Sequence, residues 1–392
     1  MVKRYLKSKK MKKTNLVIGL ITTIGVITCL SFKGQNEGED IAALKAIYSS
    51  GDSTKWPKPD LDSNIVGFQE IGRLGAVPYP SDNLPNPEKV KLGKLLFYDP
   101  RLSLSNQIAC ASCHDPQLGW GDGKRLGFGH NRQLGKRNVM TIFNTAFYKK
   151  LFWDGRAKSL EDQAKFPVGD HVEMNLDPYE MAEKIGKIAG YKPMFKESFG
   201  DDTINLERIQ KAIATFERTV VSKKSRFDVF VKGNKEALSD DEIMGLHLFR
   251  TKARCMNCHN GPLFSDNQFH NDGQTLWGTA NEDLGRYNVT KNKKDIGGFK
   301  TPSLREVANT GPWFHHGNFT ELKDIVSTYN QGNPANIPKK YLGTPRDSLL
   351  PTPSPILKKL NLTQNEQKQI IAFLQALTNS PMRVKIPVEF PM

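Results

Sequence analysis

The sequence predicts a mainly α-helical protein built in two similar halves with long loops. Three observations carry that prediction. Apolar residues recur at helical spacing in short segments that open with clear start signals. No run of alternating apolar and polar residues marks a strand, and 32 glycines and 23 prolines demand many turns. A Gly-x-x-Leu-Phe stretch followed by Cys-x-x-Cys-His occurs twice, at "GKLLF" with "CASCH" and at "GLHLF" with "CMNCH", as a duplicated unit would. At 392 residues the chain is long enough for two cores, and its supply of Leu, Ile, Val and Phe excludes wholesale disorder.

Residues 1–32 carry seven lysines and arginines and no acid, and 17 mostly apolar residues close the stretch from Leu16 to Phe32. So dense a charge run does not precede a buried helix; the segment reads as a signal peptide or an N-terminal membrane anchor. Cleavage near Ser31, lipid on Cys29 and a retained span all fit, and each exports the rest of the chain. Residues 33–66 are polar and proline-containing and read as a linker with one short helix at "IAALKAIYSS".

Beyond it, "NPEKVKLGKLLF" has Asn86 as cap and Pro87 in the first turn, and "INLERIQKAIATFERTV" is a longer amphipathic helix. "LSDDEIMGLHLF" places Ser239 and Glu242 in capping-box spacing, and "LTQNEQKQIIAFLQALT" repeats it with Thr363 and Glu366. The domains expected are 67–222, 223–360, and a C-terminal helix and tail at 361–392 that packs back on the first domain.

The formal net charge is +15, and removing the seven N-terminal cations leaves +8 for residues 33–392. That balance suits an acidic protein partner or a generally solvated basic surface. No basic stripe with interleaved aromatics is present, which argues against nucleic acid.

The two Cys-x-x-Cys-His motifs are the sharpest chemical signal. An exported chain normally uses paired cysteines in disulfides, but disulfides give His114 and His259 no role. One helical turn puts Cys110, Cys113 and His114 on one face, where two thiols can form thioethers with a porphyrin while the imidazole reaches its iron. Cys255, Cys258 and His259 repeat the set. One all-thiolate zinc site is the rival. The paired histidines and the 145-residue separation of the motifs speak against it. The reading is two covalently bound haem c groups.

From about residue 67 to 380 the chain resembles the bacterial di-haem cytochrome c peroxidases and their relatives, the di-haem enzymes of methylamine utilisation. The stretches that carry the resemblance are "LLFYDPRLS", "CASCHDP", "GKRNVMTIFNTAFYKKLFWDGRAKSLEDQA", "PVGDHVEMN", "CMNCHNGPLFSDNQFHN" and "GGFKTPSLREVANTGPWFHHGNFTELKDIV". The resemblance implies two cytochrome c-like helical domains with one c-type haem each. In that family the N-terminal haem reacts with peroxide and the C-terminal haem receives electrons. Glu173 in "HVEMN" matches the catalytic glutamate, which moves a proton between the oxygens of peroxide. Gln163 matches the glutamine beside it, and Trp153 the tryptophan that relays electrons between the haems. Asn138, Thr310 and Pro312 match a calcium site between the domains, the last two through carbonyl oxygens.

His130, in "GFGHNRQ", lies 16 residues after His114. It matches the histidine that caps the first iron in resting peroxidases needing reductive activation, and Gly127 and Gly129 suit a mobile loop. Tyr329 in "STYNQG" falls where typical peroxidases have an axial methionine and the methylamine-utilisation relatives have tyrosine. Phenolate favours ferric iron, which disfavours ordinary electron entry. His316 replaces the usual aspartate of the "HHG" turn, while His315 keeps the family histidine. His247 and His270 read as structural or propionate-contacting.

The leading function is reduction of hydrogen peroxide to water by an exported, periplasmic di-haem enzyme, with electrons from a small c-type cytochrome or cupredoxin. The alternatives are oxidation of residues of a partner protein through a high-valent di-haem state, and a non-catalytic electron-transfer or sensing cytochrome. The sequence leaves a homodimer and attachment of the N-terminus to a membrane open.

Overall fold

The computed structural model describes residues 36–334, 337–339, 342–380 and 384–392. The leader expected at 1–32 lies outside the described residues. The chain divides into residues 1–44, whose described part is the start of helix α1 (Asn36–Ser49), and residues 45–392. Then follow α2 (Pro87–Tyr98), α3 (Leu160–Gly169), α4 (Pro178–Gly186), α5 (Tyr191–Phe199), α6 (Leu206–Glu217) and α7 (Arg226–Phe230). The second half holds α8 (Asp240–Arg250), α9 (Tyr287–Thr290), α10 (Leu322–Asn330) and α11 (Gln364–Ala376). No helix among the described residues is long and apolar enough to cross a membrane.

The helix starts read from the sequence carry their caps. Asn86 accepts from the Lys89 N–H at 2.7 Å and Asn205 from that of Arg208 at 2.9 Å. Ser239 with Glu242 and Thr363 with Glu366 close full capping boxes. Each cap satisfies an N–H that the first turn leaves free, for about 1 kcal/mol.

The repeated Gly-x-x-Leu-Phe stretch has a packing cause. A Cβ on Gly93 would lie 1.9 Å from the Ala212 carbonyl oxygen, and one on Gly245 would lie 2.0 Å from that of Gln369. Both glycines therefore let two helices cross at backbone contact, α2 on α6 and α8 on α11. Four residues on, Phe97 meets Phe216 at 5.2 Å between ring centroids, and Phe249 meets Phe373 at 5.3 Å. Phe97, Phe249 and Phe373 are buried, each contributing about 1.5–3 kcal/mol. In the first set α3, α4 and α5 complete the layer around α2 and α6; in the second, α10 packs on α11.

Three features differ from expectation. A two-stranded antiparallel sheet, β1 (Phe269–Asn271) with β2 (Gly298–Lys300), pairs Phe269 with Lys300 and His270 with Phe299. Strands of three residues are too short to show alternation in sequence.

The expected linker is bound along the second cysteine motif from residue 57 onward. The Asp60 N–H donates to the Arg250 carbonyl at 2.9 Å, that of Asp62 to Asn257 Oδ1 at 2.7 Å, and Arg254 ion-pairs with Asp60 at 2.5 Å. Composition alone cannot show partners nearly 200 residues away.

Finally, α11 packs on α8, in its own half. The tail beyond it reaches the first set, where the Met392 carbonyl accepts from the Gly190 N–H at 2.7 Å and that of Pro391 from Arg101 at 2.8 Å.

Candidate active site

Each cysteine motif forms a single 3₁₀ turn, Cys110–Ser112 and Cys255–Asn257, where the sequence suggested a face of a longer helix. The following histidine closes the turn: the His114 N–H donates to the Cys110 carbonyl at 3.0 Å, and that of His259 to the Cys255 carbonyl at 2.8 Å. The four motif cysteines are free thiols, so neither pair is a disulfide. Their sulfurs do not gather into one site. Among the described residues the metal-ligand cluster is Cys258, Asp266 and His270, which removes the single four-cysteine zinc site.

The two imidazoles are oriented alike. His114 Nδ1 faces the Trp120 carbonyl at 3.1 Å and His259 Nδ1 faces that of Phe264 at 3.0 Å. A carbonyl only accepts, so Nδ1 carries the hydrogen and Nε2 presents its lone pair. Burial lowers both imidazole pKa values, that of His114 to about 4, which keeps the rings neutral. Two adjacent thiols and a neutral imidazole form the donor set a covalent haem requires, so the residues fit the group.

Around the first motif two loops converge. The α3 helix ends at Gly169, and the Asp170 carbonyl accepts from the N–H groups of Glu173 at 3.0 Å and Asn175 at 2.9 Å. Asn175 takes φ 52° to complete this turn. The Glu173 carboxyl so presented acts electrostatically on Cys110 and Cys113. Burial, then the Asp170 charge, raises its pKa above the ordinary glutamate range. The second loop passes over Cys113, whose Sγ lies 3.9 Å from the Phe128 carbonyl. It delivers His130, 9% exposed, with no hydrogen-bond partner for its Nδ1 among the described residues. Asn131 and Arg132 both have positive φ (53° and 59°), a strained pair that costs about 1–3 kcal/mol per residue in the general case. Gln163 sits on α3, and no hydrogen bond joins it to Glu173 among the described residues.

The second motif opens onto a cavity of ≈ 1760 Å³, adjoining solvent included. Cys255, Cys258 and His259 line it together with Tyr329, Trp153, Asn138, Thr310 and Pro312. Apolar walls come from Phe249, Val326, Ile370 and Leu374. Burial pushes the Tyr329 phenol well above its ordinary pKa, and the charges of Asp272, Cys258 and Cys255 add to it. Trp153 is clamped: its Nε1–H donates to the Asn138 carbonyl at 3.0 Å, and its carbonyl accepts from the Lys300 N–H at 2.8 Å. The Asn138 amide donates to the carbonyls of Lys124 and Arg125. The carbonyls of Thr310 and Pro312 accept no hydrogen bond among the described residues, which leaves both free for an oxygen-coordinated cation.

Of the remaining histidines, His270 pairs with Asp266 at 2.7 Å and His247 with the Tyr48 hydroxyl at 3.0 Å. His315 stacks on Phe299 at 3.6 Å between centroids. Glu217 and Lys300 are among the buried ionisable groups that escaped the sequence reading. Glu217, at the end of α6, has its pKa pushed up to about 8 by burial and acts on Cys110. Lys300, on β2, lines the cavity. Helical burial spacing around Phe216 was the available signal for Glu217; nothing in a three-residue strand flagged Lys300.

A sequence model described as di-haem cytochrome c peroxidase matches residues 87–236. The chain is 38% identical over 347 residues to cytochrome-c peroxidase IdrP1 of Pseudomonas sp. (strain SCT), covering 81% of this chain and 88% of that one. It is 35% identical over 330 residues to methylamine utilization protein MauG of Methylophilus methylotrophus, covering 83% and 93%. Among solved structures, a MauG-like protein associated with microbial copper homeostasis superposes with TM-score 0.67 at 28% identity, over 81% of this chain and 95% of that one. The diheme peroxidase BthA from Burkholderia thailandensis shares the fold, with TM-score 0.62 at 22% identity over 83% and 95%.

Proposed function

Because this chain belongs to the di-haem cytochrome c peroxidase family of oxidoreductases, we propose that it reduces hydrogen peroxide to water with electrons from a small c-type cytochrome or cupredoxin, outside the cytoplasm. One observation carries the reading: the Glu173 carboxyl, its pKa raised by burial, stands against the first cysteine motif.

Cys110, Cys113 and His114 would hold one haem, and Cys255, Cys258 and His259 the other. Bound there, the two haems supply iron that accepts and donates electrons, the first of them also offering peroxide a coordination position.

The chain's own residues do the rest. Glu173 takes a proton from one oxygen of peroxide and returns it to the other, so the first water leaves; two electrons from the donor and two further protons carry the remaining oxygen to a second water. A raised pKa suits that exchange, because a group near the working pH both accepts and donates readily. Gln163 orients the peroxide. His130 caps the first site at rest, and the strained backbone at 131–132 supports a loop that can move. Trp153, held at Nε1 and at its carbonyl, passes electrons between the two sites. Asn138, Thr310 and Pro312 would hold a calcium ion, and Tyr329 would join His259 in the donor set for the second haem.

Tyr329 also favours a second reading, oxidation of residues on a partner protein. It shares the cavity with His259, and the relatives include MauG as well as peroxidases. Steady-state assays separate the two. Peroxidase function predicts peroxide-dependent oxidation of a reduced c-type cytochrome or cupredoxin at several turnovers per second or more. Turnover below one per minute with every such donor, beside peroxide-driven modification of a partner protein, would overturn it.

A further inference from the structure

Lys300 ends β2 with 2% of its surface exposed. Its Nζ reaches the Lys150 carbonyl at 3.3 Å and sits 3.7 Å from the centroid of the Tyr148 ring. Among the described residues it has no ion pair. Asp154, the carboxylate whose field reaches it, is engaged by Arg137 at 2.5 Å and Arg156 at 3.2 Å. An ammonium buried against only a carbonyl and a ring is costly to keep charged. Burial accordingly pushes its pKa down to about 7.

The cavity's other cationic side chains are already paired. Arg254 bonds Asp60 and Asp62, Lys358 bonds Asp62, and His270 bonds Asp266. Lys300 alone lines the cavity without a carboxylate among the described residues. A haem tethered through its vinyl edge carries two propionate carboxylates on the opposite edge, so the group that fits this cavity brings the missing anion with it.

We infer that Lys300 binds a propionate carboxylate of the haem tethered at Cys255 and Cys258, and that this charge raises that haem's reduction potential. The inference rests on the two-haem reading. A fixed cation disfavours the ferric state, which carries one more positive charge than the ferrous state. Lys300 therefore opposes the effect of an anionic Tyr329 and keeps the second site reducible by a weak donor. Lys300 touches the cofactor's carboxylate and not the reacting oxygen atoms.

The test compares the wild-type holoenzyme with Lys300→Met and Lys300→Arg. Haem content is counted by mass spectrometry, the propionate bending mode is followed by resonance Raman, and each haem's midpoint potential by spectroelectrochemistry. The methionine variant should keep two haems, shift the propionate mode and lower the second potential while leaving the first unchanged; arginine should restore both towards wild type. Two haems with an unmoved mode and potential in the methionine variant would overturn the inference. If the methionine variant does not accumulate, Lys300→Gln is read in the same way. A wild-type chain lacking haem at Cys255 and Cys258 would sink the two-haem reading instead, and the mass spectrum tells the two failures apart.

Discussion

The His130 N–H donates to the carbonyl of Glu173 at 2.7 Å, so the proposed resting cap and the proposed acid–base residue hang on one hydrogen bond. Gly129 makes the contact achievable, since a Cβ there would lie 2.1 Å from the Val172 carbonyl oxygen. A loop that swings His130 away must break that bond, and breaking it frees the Glu173 turn to adjust. Under the proposed function, uncapping the first site and freeing the Glu173 turn would be one event.

Replacing Glu173 by Gln should slow peroxide turnover by ~10²–10⁴-fold while leaving both haem spectra nearly unchanged. The wild-type rate should fall on the acid side as the carboxylate becomes protonated. Because burial and Asp170 raise this pKa, that limb should lie above the pH of 4.5 at which an ordinary glutamate titrates. A limb at or below 4.5, or an unaltered rate in the glutamine variant, would remove Glu173 from the chemistry.

Changing His130 to Gly should convert the first site's resting spectrum from six- to five-coordinate. The fully oxidised variant should then turn over peroxide without prior reduction, whereas the wild type should require it. Electron paramagnetic resonance of the oxidised proteins reads the ligand directly. Identical spectra would make His130 an ordinary loop residue.

Gly245→Ala should destabilise the protein by about 1–3 kcal/mol, the usual range for overpacking a close contact. The new Cβ would fall 2.0 Å from the Gln369 carbonyl oxygen, against backbone that cannot step aside. Gly75→Ala, where nothing lies within 4 Å, should be near neutral. Urea denaturation of the two variants makes the comparison, and equal midpoints would contradict the crossing geometry.

Much of this was legible in the sequence because it is local. The caps at Asn86, Ser239 and Thr363 and the two histidine turns are set within a few residues. The Gly93 and Gly245 repeats were visible as text, but their cause, a carbonyl more than a hundred residues away, was not. The same holds for Asp60 on Arg254. Glu173 became a site residue only through resemblance, since a lone glutamate in a turn carries no spacing signal. Lys300 was invisible because its meaning depends on the carboxylates it lacks.

Tyr329→Phe should alter the absorption and spin-resonance spectra of the second haem, and Tyr329→Met should raise its potential. An anionic oxygen stabilises Fe(III) more than a neutral sulfur does. An unaffected second-haem spectrum in the phenylalanine variant would make the tyrosine simple packing against Phe314, 6.2 Å away between ring centroids.

Each cysteine motif should tether a haem, which intact-protein mass spectrometry after acid–acetone extraction reads out. The colour should stay with the polypeptide, the mass should rise by two haems, and peptides containing Cys110–Cys113 and Cys255–Cys258 should each carry one. A colourless chain, or one retaining zinc on its thiols, would contradict it.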